Sequence, residues 1–577
     1  IEAVYVFPLP HDAAVNEFVM TIGERRIRGI IRERQEAERV YEAAKSQGYV
    51  ASLLTQERPN VFTQKVANIE PGKAIDIAIR YYHTLAYDDG WYEFVFPMVV
   101  GPRFNPEGFS QGIGAAGRGD VGASGQKTEV QYLRPGERSG HDIALAVDLD
   151  AGVAIEEIRS ANHQVTTRPV RVRHVDDADS KPTHMNIAIA ESDTLPNKDF
   201  VLRWRVAGDR LKTAVTTHRD DRGGFFSMVL YPPAELGSLQ REPMEMVFLV
   251  DVSGSMSGKP IAKVKDAMRA TLTRLDQRDT FQVITFAGRA EALTDRPVPV
   301  TNGNIQRALR KLDKMDAGGG TYMLEGIRKA IEGADQNAAG RRRFVALMTD
   351  GYIGNEAQII DAVHRAPPGV RFFAFGVGSS TNRFLIEGVA RAGRGAAAFI
   401  GLSDDPTDAT GRYIDRVSHP ALTDIAFDFG AMRVTQMYPS RVTDLYVGRP
   451  VVVTGRFAGD GPDAIRITGR AGGRDGQALT GTVPVPTATG SAAERALPAL
   501  WARAVIAELI DFAPASDRLA VAGRVRRLAI DYSLMSDFTA FVAVDASRVT
   551  DGDTGVTVPV PVPVPDGVKY ETTVSER

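Results

Sequence analysis

The chain has 577 residues, too many for one hydrophobic core and enough for about four domains. Its 69 Lys and Arg against 72 Asp and Glu leave a net charge of −3, which speaks against a nucleic-acid-coating role, and no apolar run approaches the ~20 residues needed to span a bilayer. Having no cysteine, it also lacks disulfides, thiolate zinc sites and cysteine nucleophiles.

Residues 1–104 read as strands broken by one helix. The opening Ile-Glu-Ala-Val-Tyr-Val-Phe alternates like a strand already under way, so the chain is expected to begin downstream of its natural start, with room for a lost export signal. A helix is expected over 33–47, with Ala37, Val40, Tyr41 and Ala44 on one face and Gly48 closing it; Ile75, Ile77, Ile79 and Tyr81 mark a half-buried strand. Residues 105–127 are glycine-rich and poor in large apolar groups, which predicts a flexible linker. Its Arg118-Gly119-Asp120 is read as a solvated loop in preference to an adhesive tripeptide. Residues 128–238, with Ile143, Leu145, Val147 and Leu149 alternating, predict a β-sandwich, and the acidic run at 176–179 reads as a solvated turn.

Near 243 the period changes. The apolar run Met246-Val247-Phe248-Leu249-Val250 suits a strand covered on both faces, and helices near 260–275, 304–315, 322–333 and 356–365 alternate with strands near 281–286, 344–348 and 370–377. This βαβ series predicts a doubly wound parallel sheet over 239–418. Strands return over 419–490. Residues 491–546 predict two helices, the first with a stripe of Leu497, Trp501, Val505 and Leu509, and a closing strand over 538–544. The Val-Pro tail, 547–577, is read either as a stiff extended spacer or as a frayed end.

Three polar clusters fall just past predicted parallel strands or in the loops beside them: Asp251-Val252-Ser253-Gly254-Ser255, Gly318-Gly319-Gly320-Thr321 and Thr349-Asp350-Gly351. The C-terminal ends of such strands face one crevice, so residues a hundred positions apart converge. Two carboxylates with three hydroxyls form a hard, weakly charged oxygen set. That set suits Mg²⁺, with Mn²⁺ or Ca²⁺ as alternatives, and leaves a coordination position open. Taken singly, Ser255, Ser257 and Thr321 are candidate helix caps and Asp350-Gly351 a turn.

Together these clusters, in this order and spacing, resemble the metal-ion-dependent adhesion site of the von Willebrand factor A domain. The resemblance implies that Ser253, Ser255 and Thr321 touch the ion through hydroxyls, that Asp251 and Asp350 act directly or through water, and that a partner protein's Asp or Glu carboxylate fills the vacant position. Gly258, Asp316, Tyr352, Asn355 and Glu356 are the expected partner-facing rim. The first unit resembles the VIT domain that precedes such a domain in inter-alpha-trypsin inhibitor heavy chains and their bacterial, predicted sortase-target relatives. That resemblance rests on Tyr5-Val6-Phe7-Pro8-Leu9-Pro10, on Gln56-Glu57-Arg58-Pro59-Asn60-Val61-Phe62 and on Val66-Ala67-Asn68-Ile69, which are expected to shape turns without doing chemistry. The tail motifs Leu500-Trp501-Ala502-Arg503 and Asp537-Phe538-Thr539-Ala540-Phe541 resemble the same proteins. The heavy chains' Asp-Pro-His-Phe-Ile-Ile cleavage site is absent, so hyaluronan linkage is not carried over.

The expected class is a multidomain α/β plus β protein, a Rossmann-like A domain flanked by a β-rich VIT domain and sandwich and helical segments. It is read as a non-catalytic, metal-dependent binding or adhesion protein placed outside the cytoplasm; a structural scaffold is the alternative and a hydrolase a third reading. The phosphate-loop spacing fails at Gly254 to Pro260, Met256 sits where a nucleophile elbow needs serine, and no His-Glu-x-x-His occurs.

Overall fold

The computed structural model describes the chain except residues 89–90, 117–123, 152–153, 171–180, 207–213, 231–242, 335–341, 368, 406–409, 412, 415–421, 441, 447–449, 460–463, 472–476, 486–491, 513–517, 550–555 and 575–577. The Arg118-Gly119-Asp120 tripeptide and the acidic run at 176–179 lie outside the described residues.

The doubly wound sheet forms as its apolar runs require. The strand Met244–Asp251 lies centrally, buried along its whole length, between the parallel strands Thr280–Phe286 and Arg342–Thr349; Val370–Val377 and Arg394–Ile400 extend the second side. Helices Lys259–Leu272 and Asn302–Asp313 cover one face through Val264, Met268 and Leu312. Helices Met323–Ile331, Glu356–His364 and Arg383–Ala392 cover the other through Ile327, Ile360 and Leu385. Since strand order reverses beside Met244–Asp251, the crevice at its C-terminal end is the topological switch point.

Two of the flanking units are assembled from pieces on both sides of this domain. The N-terminal unit packs a six-stranded sheet on the three strands Arg25–Arg28, Ala14–Ile22 and Ile75–Tyr82, with Phe18, Leu54, Phe62 and Phe541 between them. Its helix, Arg34–Ser46, covers the opposite face with Ala37, Tyr41 and Ala44, whereas Val40, expected on that face, is exposed. Within the six-stranded sheet the late strand Thr539–Val549 sits between Tyr49–Arg58 and Ile30–Glu33. At the far edge Thr557–Pro559 pairs in parallel with Glu2–Pro8. The described part of the tail is therefore packed and is neither spacer nor frayed end: Val562, Tyr570 and Val574 are buried with Val6, Val61 and Tyr132. Pro559 is accommodated because an edge strand tolerates a missing N–H.

The second sandwich takes Trp91–Phe96 and Ala86–Asp88 out of the first unit and pairs Trp91–Phe96 with Phe200–Val206. A third joins Ala214–Asp220 and Gly223–Leu230 to Val451–Ala458 and Arg433–Tyr438, across the parallel-sheet domain, and packs them on strands from 422–484. Helices Ala492–Phe512 and Arg518–Asp531 close over Phe225 with Leu497, Trp501 and Val505. The expected linker is in part a packed strand. Ile113–Ala115 pairs with Thr128–Val130, and Ile113 is fully buried, because one large apolar residue among the glycines suffices to anchor it.

Candidate metal centre

Asp251 ends the central strand, and the parallel register that sets Val250 opposite Met348 brings Thr349 level with it. Thr349 Oγ1 donates to Asp251 Oδ2 at 2.5 Å, and the Ser253 N–H donates to Asp251 Oδ1 at 2.9 Å, which fixes the carboxylate on both oxygens. The chain then makes a short 3-10 turn, Gly254–Met256, and the Ser253 and Ser255 hydroxyls stand 3.4 Å apart. The glycine loop is pinned to this turn: Gly318 N–H donates to Val252 O at 2.8 Å and Gly254 N–H to Gly319 O at 3.1 Å. Gly319 makes the bend with φ of +83°, a region costly to any other residue, two positions before Thr321.

The third loop follows Arg342–Thr349. Asp350 Oδ1 accepts the Tyr352 N–H at 3.0 Å, and Gly351 turns with φ of +75°. Asp350 Oδ2 is buried without a hydrogen-bond partner. Asp251, Ser253, Ser255, Thr321 and Asp350 are all at most 6% exposed. Burial pushes both carboxyls above the usual range, and the charge of Asp251 pushes Asp350 further. Among the described residues no Lys or Arg pairs with either one. Two buried acids are thus left without a countercharge among the described residues.

Asp350-Gly351 does form the turn expected of it, but the cap readings of the hydroxyl residues do not hold. No side-chain cap bond is made at the starts of the Gly254–Met256 turn, of Lys259–Leu272 or of Met323–Ile331, so Ser255, Ser257 and Thr321 are not helix caps. Among the described residues no group of three or more His, Asp or Glu is placed to hold a metal ion, so a site here would draw on neutral oxygens as well. Thr349, quoted in the motif without a role, is the residue that orients Asp251.

The expected rim divides. Gly258 and Asp316 are exposed. Tyr352, Asn355 and Glu356 are buried and do not face outward. Tyr352 donates its hydroxyl to Ser380 O. Asn355 donates to Gln358 Oε1 at 3.1 Å. Glu356, 1% exposed, accepts from Arg103 at 2.6 Å, from Asn382 Nδ2 at 3.2 Å and from Arg58. The reason is a covering segment, residues 101–105, whose Phe104 forms a parallel bridge with Ile353.

Comparison with known proteins agrees with this architecture. Residues 1–81 match the family model of the Vault protein inter-alpha-trypsin (VIT) domain, and residues 244–399 match that of the von Willebrand factor type A domain. A von Willebrand factor A domain-containing protein of Dictyostelium discoideum is 22% identical over 77% of this chain and 43% of its own length. Mouse inter alpha-trypsin inhibitor, heavy chain 4, is 24% identical over 80% of this chain and 47% of its own. Human protein mono-ADP-ribosyltransferase PARP4 is 24% identical over 68% of this chain but only 22% of its own length. The chain spans about half or less of the length of these relatives. It carries a VIT domain followed by a von Willebrand factor A domain, as the sequence motifs implied.

Proposed function

We propose that this chain is a non-catalytic protein-binding molecule that captures an exposed Asp or Glu carboxylate of a partner protein at a Mg²⁺ site formed by Asp251, Ser253, Ser255, Thr321 and Asp350. The observation that carries the reading is the pair of buried carboxylates, one with an unpartnered oxygen, set beside hydroxyls and paired with no Lys or Arg among the described residues. Ser253, Ser255 and Thr321 offer neutral oxygens, while Asp251 and Asp350 offer anionic ones; this is a hard donor set. A bound Mg²⁺ would supply charge neutralisation and an open coordination position for an incoming carboxylate oxygen. Thr349 and the Ser253 N–H hold Asp251 in place for that task, and Gly258 and Asp316 are left to meet the partner. Neither histidine nor lysine belongs to this set, which supports binding over hydrolysis.

The test is calorimetric titration of Mg²⁺ and Mn²⁺ into the chelator-stripped chain, beside Asp251→Ala and a Ser253→Ala, Ser255→Ala double variant. About one site per native chain, absent from both variants, is expected; no saturable uptake by the native chain at millimolar metal refutes the reading. A scaffold role is the second reading, favoured by the direct bonds from Arg58 and Asn60 of the N-terminal unit to the A domain. Partner recruitment that survives chelator would support that reading instead.

A further inference from the structure

Residues 101–105 run between two of the three loops that make the metal centre. On one side Phe104 N–H donates to Tyr352 O at 3.1 Å and Gly354 N–H donates to Phe104 O at 2.9 Å, which adds a short strand to the loop that begins at Asp350. On the other side the Phe104 ring lies 5.3 Å from that of Tyr322, beside the loop that carries Thr321. Glycines make these approaches possible. A Cβ added at Gly320 would stand 2.8 Å from the Phe104 ring, and one at Gly101 would stand 2.8 Å from the Tyr352 ring.

The same segment is tied to the N-terminal unit through buried charge. Arg103, 4% exposed in its side chain, and Arg58, at the end of the strand Tyr49–Arg58, share Glu356. Asn60 donates to Asn382 Oδ1 at 3.3 Å. Asn382 in turn donates from its backbone to Asp350 O at 2.9 Å and from Nδ2 to Gly351 O at 3.0 Å. Arg58 and Asn60 belong to the Gln56 to Phe62 motif that reads from sequence as turn-forming. In the structure that motif reaches the loop carrying Asp350 by two routes.

The geometry points to residues 101–105 as a clip that positions the Thr321 and Asp350 loops relative to each other, so that docking of the N-terminal unit sets the affinity of the centre for its metal. This rests on the metal-binding reading above. Phe104, Arg103 and Arg58 are positioning residues, since none of them is among the proposed ligands. Coupling of this kind is reciprocal: whatever tightens metal binding through the clip must be matched by a tightening of the clip when metal binds.

The experiment uses the full chain and Mn²⁺ as probe. Mn²⁺ titrations of chelator-stripped native protein, Phe104→Ala and Arg58→Ala are paired with hydrogen exchange of the native chain with and without Mn²⁺. Phe104→Ala is expected to keep one site with affinity at least tenfold weaker, and Arg58→Ala to show a smaller loss. In the native chain the Phe104 and Gly354 amides are expected to exchange at least tenfold more slowly with Mn²⁺, while those of Ala146–Asp150 do not change. A purely structural role for Phe104 would leave that metal-dependent protection absent. Folded Phe104→Ala that binds like the native chain, or Phe104 and Gly354 amides indifferent to Mn²⁺, overturns the clip and leaves the metal site standing. A native chain that takes up no Mn²⁺ overturns both.

Discussion

The junction between the second sandwich and the A domain rests on Glu93, and its charge can be tested by pH. Glu93 Oε2 accepts from Arg203 Nε at 2.6 Å and Oε1 from Arg383 Nη1 at 2.9 Å; its side chain is 14% exposed. Arg383 also stacks on Phe399, 3.7 Å from the ring centroid. Burial by itself would raise the Glu93 carboxyl, but Arg383 and Arg203 together overcome it and hold the group at about 2, against 4.5 when unfolded. Because the folded value is the lower one, the stabilisation is complete above pH ~4.5 and is lost as pH falls toward ~2. A depression of that size corresponds to about 3 kcal/mol at neutral pH and to about half that at pH 3. Glu93→Gln should therefore destabilise the junction by roughly 3 kcal/mol at pH 7, in the range for breaking a buried pair, and by half that or less at pH 3. Urea titrations read by hydrogen exchange in the helix Arg383–Ala392 measure both values. A gap of equal size at the two pH values would mean that lost packing, not charge, is responsible, and the reasoning would fail.

Asp199 stands at the same junction with the opposite sign. Burial raises its carboxyl to about 6, although Oδ1 accepts from Met98 N–H at 3.1 Å and from the Ser380 hydroxyl at 3.0 Å. Its charge costs stability above pH ~6 and costs nothing below pH ~4, so Asp199→Asn, which keeps an acceptor for both donors, should stabilise the chain by up to about 3 kcal/mol at pH 7.5. Thermal unfolding at pH 7.5 and pH 4 checks this; equal melting temperatures for the two proteins at pH 7.5 would refute it. Gly319→Ala has room for its methyl, with only Gly288 N within 4 Å at 3.8 Å, so its cost is the strain of φ +83°, about 1 to 2 kcal/mol. The strain should appear as weaker Mn²⁺ binding with little change in the other domains, and Mn²⁺ affinity equal to that of the native chain would count against Gly319 as the residue that sets Thr321.

The parallel-sheet domain was readable because everything that specifies it is local and contiguous. Met246 to Val250 is apolar without alternation because both faces of its strand are covered, and Asp251, Thr321 and Asp350 lie in loops at strand ends or beside them, where fold geometry gathers them. The flanking layers failed to segment in chain order for a related reason. Thr539–Val549 is an ordinary alternating strand, and nothing in its residues says that its partners lie some five hundred positions earlier, between Ile30–Glu33 and Tyr49–Arg58. Trp91–Phe96 likewise carries no mark that sends it to Phe200–Val206 and away from the strands just before it. The rim was misjudged through the same nesting: Tyr352, Asn355 and Glu356 are polar or amphipathic residues in a loop and at the start of the helix that follows it, a pattern that elsewhere faces water. They are buried here because Arg58 and residues 101–105 arrive from outside the A domain. The first unit and the third sandwich each take strands from before and after residues 244–400, so their halves meet only across the A domain. Contacts of that sequence separation cost the most chain entropy to close, and a folded A domain between the two halves shortens the closure. The loop that begins at Asp350 lies on the inner domain yet is gripped from outside it, by Asn60 through Asn382 and by Phe104 through Tyr352 and Gly354, so its geometry depends on residues more than two hundred positions earlier in the chain.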